Sequence, residues 1–315
     1  MDFINIIIQF VLLIVGFVLL IKGSDFFVDG SSSVASILKI PTLIVGLTIV
    51  AFGTSAPEAA VSITSSLSGS NALALSNVIG SNLFNMLLII GLCALLNELK
   101  IGKEVLNLDL PFLVMLTGIL TAFILFGWEI TRIEGIILII LIIAYVSYLV
   151  YNARKSKESQ IVEKPKLSLL RSIIYIVCGV AGIIIGADFV VDSASYIAMA
   201  FGMSETLVGL TIVAMGTSLP ELATSLTALK KGENQMIIGN VIGSNIFNIS
   251  LVLGASSAIS PIAINPNMWV DIVLMLGVTI LFFIFGKTQS KYDKKEGFIL
   301  VALFIAYMAF AILRN

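Results

Sequence analysis

The chain has 315 residues, of which 58% are hydrophobic and 12% are charged, and its formal net charge is −1. With a mean hydropathy of +1.10, it carries far more apolar surface than a soluble core absorbs, which indicates an integral membrane protein. The near-zero charge and the absence of a basic patch interleaved with aromatic residues exclude nucleic-acid binding.

Apolar runs of the length that a bilayer requires recur along the chain. They predict ten spanning helices, at residues 5–22, 42–67, 72–96, 107–127, 133–151, 168–190, 205–229, 235–259, 268–286 and 296–313. The first run has no basic flank before it and no clear cleavage site, so it is interpreted as a span and not as a removable signal. A charged, proline-containing stretch at residues 153–167 predicts a cytoplasmic linker between two five-helix units, 1–152 and 168–315.

The two halves repeat each other at a constant offset of 163 residues (186 − 23 = 209 − 46 = 240 − 77). The matching segments are GSDFFVDG from Gly23 with GADFVVDS from Gly186, GLTIVAFGTSAPE from Gly46 with GLTIVAMGTSLPE from Gly209, and NVIGSNLFN from Asn77 with NVIGSNIFN from Asn240. Because each unit has an odd number of spans, the second enters the membrane from the opposite side. The sequence therefore predicts an all-α membrane fold of two inverted five-helix repeats.

The basic residues predict the orientation of the chain. With the N-terminus outside, 16 of the 18 lysines and arginines fall at the cytoplasmic side, leaving only Arg132 and Arg314 outside. The repeat supports this orientation, since Lys231, in a loop predicted to be cytoplasmic, aligns with Ser68 in the equivalent loop predicted to lie outside (231 − 163 = 68). We expect a plasma-membrane protein with both termini outside, and one that functions as a monomer.

Two glutamates, Glu58 and Glu221, lie near the middle of the second and seventh runs. A carboxylate at that depth is costly, about 2.5–3.5 kcal/mol on insertion scales, and functional sites account for most such residues. A structural role with a buried polar partner is the alternative, but no lysine or arginine occurs at a similar depth in the sequence. A bound cation is the simplest neutralising partner.

Proline precedes each of these glutamates. Pro57 and Pro220 have no amide hydrogen, so the carbonyls of Gly53 and Gly216 lose their helical partners. A lone proline would predict only a kink, whereas two copies beside buried glutamates predict broken helices that line a cavity. The neighbouring hydroxyls of Thr54, Ser55, Thr217 and Ser218 add oxygen ligands.

The third and eighth runs each carry a polar stripe at positions i, i+4 and i+8. Its members are Asn77, Ser81 and Asn85 in the first half and Asn240, Ser244 and Asn248 in the second. We expect Ser81, Asn85, Ser244 and Asn248 to bind cations, and the first asparagine of each stripe to pack between helices. Hard oxygen ligands without histidine or thiolate favour sodium, calcium or magnesium over zinc or copper.

Other polar and sulfur-containing residues are given structural roles. Aspartates recur i, i+4 near the predicted ends of the first and sixth spans, where carboxylates are inexpensive; a role in attracting ions is the alternative. They are Asp25, Asp29, Asp188 and Asp192. Cys93 and Cys178 lie inside apolar runs and are expected to be packing residues and not a disulfide or a metal site.

With GTSAPE and GTSLPE each followed by a GSNxFN motif, the chain resembles the sodium/calcium exchanger branch of the calcium/cation antiporter superfamily, as a prokaryotic-type member. The resemblance covers essentially the whole chain. It implies ten helices, four central ion sites, first and sixth helices that slide to alternate access, and calcium and sodium as transported ions without a cofactor.

Carried over by motif position, the resemblance implies that Glu58 and Glu221 bridge the calcium and sodium sites. It implies further ligands from backbone carbonyls and from side chains: Ala51, Thr54, Ala214 and Thr217 by carbonyls, and Ser55, Ser81, Asn85, Ser218, Ser244 and Asn248 by side chains. Potassium-dependent members and some microbial members have aspartate where this chain has Asn248, which argues against potassium coupling.

The sequence favours an antiporter that exchanges calcium for sodium, and calcium/proton exchange is the alternative. Proton-coupled members carry GNAAEH-like segments with a histidine, whereas this chain contains no histidine. A passive channel would also use buried glutamates, but an inverted repeat with broken helices favours alternating access. An intramembrane hydrolase that uses Ser55 or Ser218 lacks both a general base and a G-x-S-x-G elbow, so no enzyme is predicted.

Overall fold

A computed structural model describes residues 3–68, 71–155, 165–203, 208–265 and 268–314. The first half contains α1 (Phe3–Leu38), α2 (Thr42–Thr54), α3 (Ala56–Leu67), α4 (Leu73–Leu96), α5 (Leu110–Gly127) and α6 (Arg132–Lys155). The second half contains α7 (Leu169–Ala200), α8 (Ala214–Gly216), α9 (Leu219–Lys230), α10 (Asn234–Ile259), α11 (Trp269–Gln289) and α12 (Lys294–Arg314).

Eight helices of the described ranges are long and apolar enough to cross a membrane, and the bent pair α2 and α3 makes nine if it is one span. The prediction of an all-α membrane fold is confirmed at this level. The run predicted at 205–229 begins within residues 204–207, outside the described residues. Its described part has a π-helical turn, Gly209–Val213, followed by α8 and α9.

The first and sixth spans are longer than the sequence predicts. We expected residues 5–22 and 168–190, whereas α1 has 36 residues and α7 has 32. Charged side chains near position 25 do not break a helix, and α1 ends only where Lys39 adopts φ 56° before Pro41. Asp25 and Asp29 therefore lie within a helix that continues, and not at its end.

α1 and α7 pack against each other as an antiparallel pair at very short distance. A Cβ added at Gly16, Gly23 or Gly30 would lie 2.8–2.9 Å from a backbone oxygen of α7, belonging to Gly186, Gly179 and Ser172 respectively. Small residues every seven positions allow this approach of two backbones, as in other membrane helix pairs. The outer face of α1 exposes apolar side chains such as Ile14 and Phe17.

α4 and α10 form the centre of the molecule, where most of their side chains are buried. Gly239 and Gly243 of α10 allow α2 to pack closely, since an added Cβ would meet Leu43 O at 2.5 Å and Ala51 Cβ at 2.7 Å. Polar residues are concentrated on this buried centre while apolar residues cover the outside, which is the arrangement that a bilayer favours.

Short antiparallel strand pairs join the two halves at their ends. β1 (Leu99–Lys100) pairs with β4 (Lys291–Tyr292), and β2 (Glu129–Ile130) pairs with β3 (Ile262–Ala263). The strands β1 and β2 lie at opposite ends of α5, because one precedes the helix and the other follows it. Each half therefore contributes one strand to each end of the molecule.

Candidate cation-binding site

Both glutamates lie at breaks between helices. The break between α2 and α3 is centred on Ser55, with φ −83° and ψ 7°, and bends the chain by 48°. Because α3 begins at Ala56, Pro57 falls in its first turn, where no amide hydrogen is needed. Glu58 follows in the same turn, and Glu221 occupies the matching place in α9. The positive end of a helix dipole favours a carboxylate at this position.

Hydrogen bonds from both halves of the chain hold Glu58, whose side chain is fully buried. Its Oε1 accepts hydrogen bonds from the Ser218 hydroxyl at 3.2 Å and the Ser81 hydroxyl at 3.4 Å. Its Oε2 is buried and has no hydrogen-bond partner among the described residues. The protein thus positions one oxygen of the carboxylate and not the other.

Glu221 has the corresponding environment with the two halves exchanged. The Ser55 hydroxyl donates to Glu221 Oε1 at 2.8 Å, and the Ser244 hydroxyl donates to the same oxygen at 3.3 Å. Glu221 Oε2 is likewise buried without a partner in the described part of the chain. The serine three residues before each glutamate therefore bonds to the other glutamate, which brings the two carboxylates to one site.

Asn77 contacts the helix break between α2 and α3, which lies in the same half of the chain. Its Nδ2 donates to Glu58 O at 3.3 Å and to Ser62 Oγ at 3.1 Å, and its Oδ1 accepts from the Thr217 hydroxyl at 3.2 Å. All three of these contacts use the side-chain amide of Asn77. The interhelical packing role that we expected for this asparagine agrees with this geometry.

Asn240 repeats the arrangement in the second half. It donates to Glu221 O at 3.4 Å and to Ser225 Oγ at 3.0 Å, and accepts from the Thr54 hydroxyl at 3.1 Å. Thr54 and Thr217 thus use their hydroxyls to join the two halves, a contact that sequence reasoning did not anticipate.

The backbone groups expected as ligands are described in part. Ala51 O accepts the Ser55 amide at 3.0 Å and the Thr54 hydroxyl at 3.4 Å, so this carbonyl already has protein partners. Ala214 begins α8, and its side chain lies outside the described residues. Whether these carbonyls bind cations stays a prediction.

Asn85 and Asn248 lie four residues beyond Ser81 and Ser244, so they share a helix face with the serines that bond to the glutamates. Both side chains are fully buried. Each donates its Nδ2 to another asparagine, and each leaves its Oδ1 buried without a partner among the described residues.

Asn82 and Asn245 are part of this cluster, although sequence reasoning did not select them. Asn85 Nδ2 donates to Asn245 Oδ1 at 3.1 Å, and Asn248 Nδ2 donates to Asn82 Oδ1 at 3.2 Å. The signal that could have found them is their place in both copies of GSNxFN, at the same offset as the predicted ligands. The i, i+4, i+8 pattern follows one stripe of a helix, so it did not include the asparagines three positions before the predicted ligands Asn85 and Asn248.

Within this cluster of glutamates and asparagines, four buried acceptor oxygens lack hydrogen-bond partners among the described residues: Glu58 Oε2, Glu221 Oε2, Asn85 Oδ1 and Asn248 Oδ1. No lysine or arginine of the described ranges forms an ion pair with either glutamate. Buried acceptors and charges rarely remain unpaired. Such a set of hard oxygens with two negative charges is suited to a cation such as calcium or sodium.

Several other acidic residues have protein partners. Lys231 Nζ lies 2.9 Å from Asp29 Oδ2 and 3.5 Å from Asp25 Oδ1. Three further buried acids of the described residues were not selected from the sequence. Asp109 accepts from the Tyr145 hydroxyl at 2.8 Å, Asp271 pairs with Arg314 at 2.8 Å, and Glu296 accepts from the Asp293 amide at 3.1 Å.

Comparison with known proteins identifies the family. A family model described as sodium/calcium exchanger protein matches residues 8–151 and 171–313. The chain is 36% identical over 282 residues to the inner membrane protein YrbG of Escherichia coli, with 86% of each chain covered. It is 30% identical over 321 residues to the sodium/calcium exchanger MaX1 of Methanosarcina acetivorans, with 88% of this chain and 91% of the relative covered.

A solved structure has the same fold. The sodium-calcium exchanger NCX_Mj, soaked with 10 mM Na+ and 10 mM Sr2+, superposes with a TM-score of 0.86 at 31% identity, covering 96% of this chain and 98% of that one. The expected family resemblance is therefore confirmed. The chain is a multi-pass membrane protein, and it belongs to the sodium/calcium exchanger family of antiporters.

Proposed function

We propose that the protein exchanges calcium for sodium across the membrane by alternating access. The observation that carries the proposal is the pair of fully buried glutamates, each with one oxygen bonded to serines of both halves and one oxygen without a partner in the described residues. Two carboxylates balance the charge of one calcium ion, and several sodium ions can occupy the same oxygens in the other half of the cycle.

The proposed ligand set combines the glutamates with neutral oxygens around them. It comprises Glu58, Glu221, Ala51, Thr54, Ser55, Ser81, Asn85, Ala214, Thr217, Ser218, Ser244 and Asn248. The side chains of the central members support this assignment, because serines hold one oxygen of each glutamate and both asparagines leave an acceptor free in the described structure. The proposal requires no cofactor.

Repeated contacts support ten spans in two inverted repeats, with units 1–152 and 168–315 and a linker at 153–167. The bond from Ser55 to Glu221 has its counterpart in the bond from Ser218 to Glu58, and the pairing of β1 with β4 has its counterpart in β2 with β3. Such exchange of partners is what two copies related by a two-fold axis in the membrane plane produce.

We propose that both termini lie outside the cell, that the protein is in the plasma membrane and that one chain is sufficient for transport. Basic loops from several parts of the chain meet at one end: Lys103 and Lys231 line the same cavity, and Lys291 bonds to Glu98 beside β1. Arg314 pairs with Asp271 near the start of α11. The positive-inside rule places the basic end in the cytoplasm.

Sodium is favoured over protons and potassium as the driving ion. The motifs read GTSxPE and the chain has no histidine, unlike the proton-coupled segments described above. Asn85 and Asn248 are neutral, which leaves Glu58 and Glu221 as the carboxylates of the site. Exchange of three sodium ions for one calcium ion would move net charge, so the rate would respond to voltage.

Liposomes containing the purified protein test the driving ion. At fixed neutral pH and without potassium, an outward sodium gradient should drive calcium accumulation, and a sodium ionophore should abolish it. A protonophore should not lower it, and should raise it if the exchange moves net charge, because inward proton flow then dissipates the opposing voltage. Protein-free liposomes measure the leak. Calcium uptake that ignores sodium but follows a proton gradient would instead establish calcium/proton exchange.

A further inference from the structure

The amide of Asn82 has an orientation that its hydrogen bonds determine. Its Nδ2 lies 3.4 Å from the backbone oxygen of Asn245, and its Oδ1 lies 3.2 Å from Asn248 Nδ2. A backbone carbonyl only accepts hydrogen bonds, so the NH2 end of Asn82 must face Asn245. The oxygen end of Asn82 must then face Asn248.

This orientation determines which end of Asn248 is left for a ligand. Because Asn82 presents an acceptor, Asn248 donates its NH2 group to it and turns its own oxygen away. That oxygen, Asn248 Oδ1, is buried without a partner in the described part of the chain, and so are Glu58 Oε2 and Glu221 Oε2. Ser244, one helical turn before Asn248, bonds to Glu221, so the same face of α10 borders the proposed site.

The repeat-related pair, Asn85 with Asn245, has no such hydrogen bond to a backbone carbonyl in the described structure. Asn85 donates to Asn245 Oδ1 at 3.1 Å, but Asn245 Nδ2 has no hydrogen-bond partner among the described residues. The repeat-related asparagines are therefore not equivalent. Of these two asparagine pairs, only Asn82 with Asn248 is also bonded to a backbone carbonyl, that of Asn245. A carbonyl oxygen always accepts, so it fixes the orientation of both amides in that pair.

We propose that Asn82 is a positioning residue that keeps the carboxamide oxygen of Asn248 directed at the transported cation. The inference rests on the proposed function. An amide differs from a carboxylate in having a donor end as well as an acceptor end, and a reversed amide would point its NH2 group at the cation. With asparagine and not aspartate at position 248, the site depends on a neighbour that prevents this reversal.

Substitutions at Asn82 separate orientation from packing. Asn82→Leu removes the acceptor, so we expect the calcium concentration for half-saturation to rise about tenfold, as for the loss of one charge-dipole contact of about 1.4 kcal/mol. Asn82→Asp still accepts from Asn248 and should bind calcium at least as tightly as the unsubstituted protein. The double variant Asn82→Leu, Asn248→Asp should recover most of the loss, because a carboxylate presents oxygen at either end.

Calcium binding to purified protein in detergent is measured by calorimetry, with the melting temperature recorded without calcium. Ser257→Ala is the matched control, since among the described residues this buried serine of α10 donates only to Leu253 O and Gly254 O. Its calcium affinity should be unchanged. If Asn82→Leu does not fold, Asn82→Ser, which is too short to reach Asn248, is expected to show the same weakening.

Three results would overturn the inference. The first is unchanged calcium affinity in Asn82→Leu, and the second is equal weakening in Asn82→Asp and Asn82→Leu, which would indicate a packing role. The third is the absence of calcium binding in the unsubstituted protein, which would overturn the proposed function as well. The first two leave the proposed function intact, so the two failures are distinguishable.

Discussion

Lys231, in the turn between α9 and α10, joins that turn to α1. Its ammonium group lies 2.9 Å from Asp29 Oδ2, 3.5 Å from Asp25 Oδ1 and 2.8 Å from the Asp25 carbonyl oxygen. The repeat-related position is Ser68, so Lys231→Ser gives this end of the molecule the residue that the other half already has. We expect the C-terminal part of α1 to open more readily in this variant.

The size of the effect follows from the exposure of the groups. The Lys231 side chain is 20% exposed, and those of Asp25 and Asp29 are 32% and 31% exposed, so solvent weakens both ion pairs. Partly exposed pairs contribute about 0.2–1 kcal/mol each. The loss of the lysine also leaves Asp29 without an ion pair in the described structure, while Asp25 keeps Lys22 at 4.0 Å. A total of about 1–2 kcal/mol corresponds to an increase of about five- to thirtyfold in local opening.

Hydrogen exchange of the α1 amides from residue 25 to residue 38 measures this opening. Exchange in Lys231→Ser should be faster by that factor, while Lys230→Ser, which replaces an exposed neighbour that forms no ion pair in the described structure, should exchange as the unsubstituted protein does. Because salt screens such pairs, 1 M salt should reduce the difference. Equal exchange in the two variants, or a difference that salt leaves intact, would refute the electrostatic explanation.

Three further outcomes are expected. Glu58→Gln and Glu221→Gln should each lower calcium flux in liposomes on the order of a hundredfold or more while the protein still inserts, because the buried calcium ion loses one of its two balancing carboxylates. Near-normal flux in either variant would show that the glutamates do not form the site. Gly179→Ala should lower the melting temperature, since its Cβ would lie 2.6 Å from a backbone nitrogen of α1. Gly118→Ala, whose Cβ would have no neighbour within 4 Å, should be neutral or stabilising, and equal effects of the two alanines would contradict the close-packing argument. A cysteine at Lys157, after replacement of both native cysteines, should be labelled only from the cytoplasmic side, and labelling from outside intact cells would reverse the proposed orientation.

The sequence by itself determined the class of protein and the position of its central residues. Runs of apolar residues identify spans because a bilayer of given thickness requires them. The repeat at a constant offset, with proline beside glutamate in each copy, predicted the broken helices that the structure contains at Ser55 and before Glu221. These are local properties, since a proline affects the helix in which it occurs whatever packs against it.

The sequence could not determine where the first and sixth helices end. Hydropathy marks the apolar part of a helix, whereas α1 continues through Asp25 and Asp29 and α7 continues through Asp188 and Asp192, since an aspartate lowers helix propensity only slightly. In α1 the aspartates also have a partner in Lys231, about 200 residues away along the chain.

Only the tertiary structure decided how the two halves share the site. Sequence reasoning placed Ser55 beside Glu58, three residues along the chain, but the hydroxyl bonds to Glu221, and Ser218 bonds to Glu58. Asn82 was missed for the same reason, because its partners Asn245 and Asn248 belong to the other half. A motif specifies which groups a segment offers, but the direction of each hydrogen bond depends on which donor or acceptor the packing of the other half brings within about 3 Å.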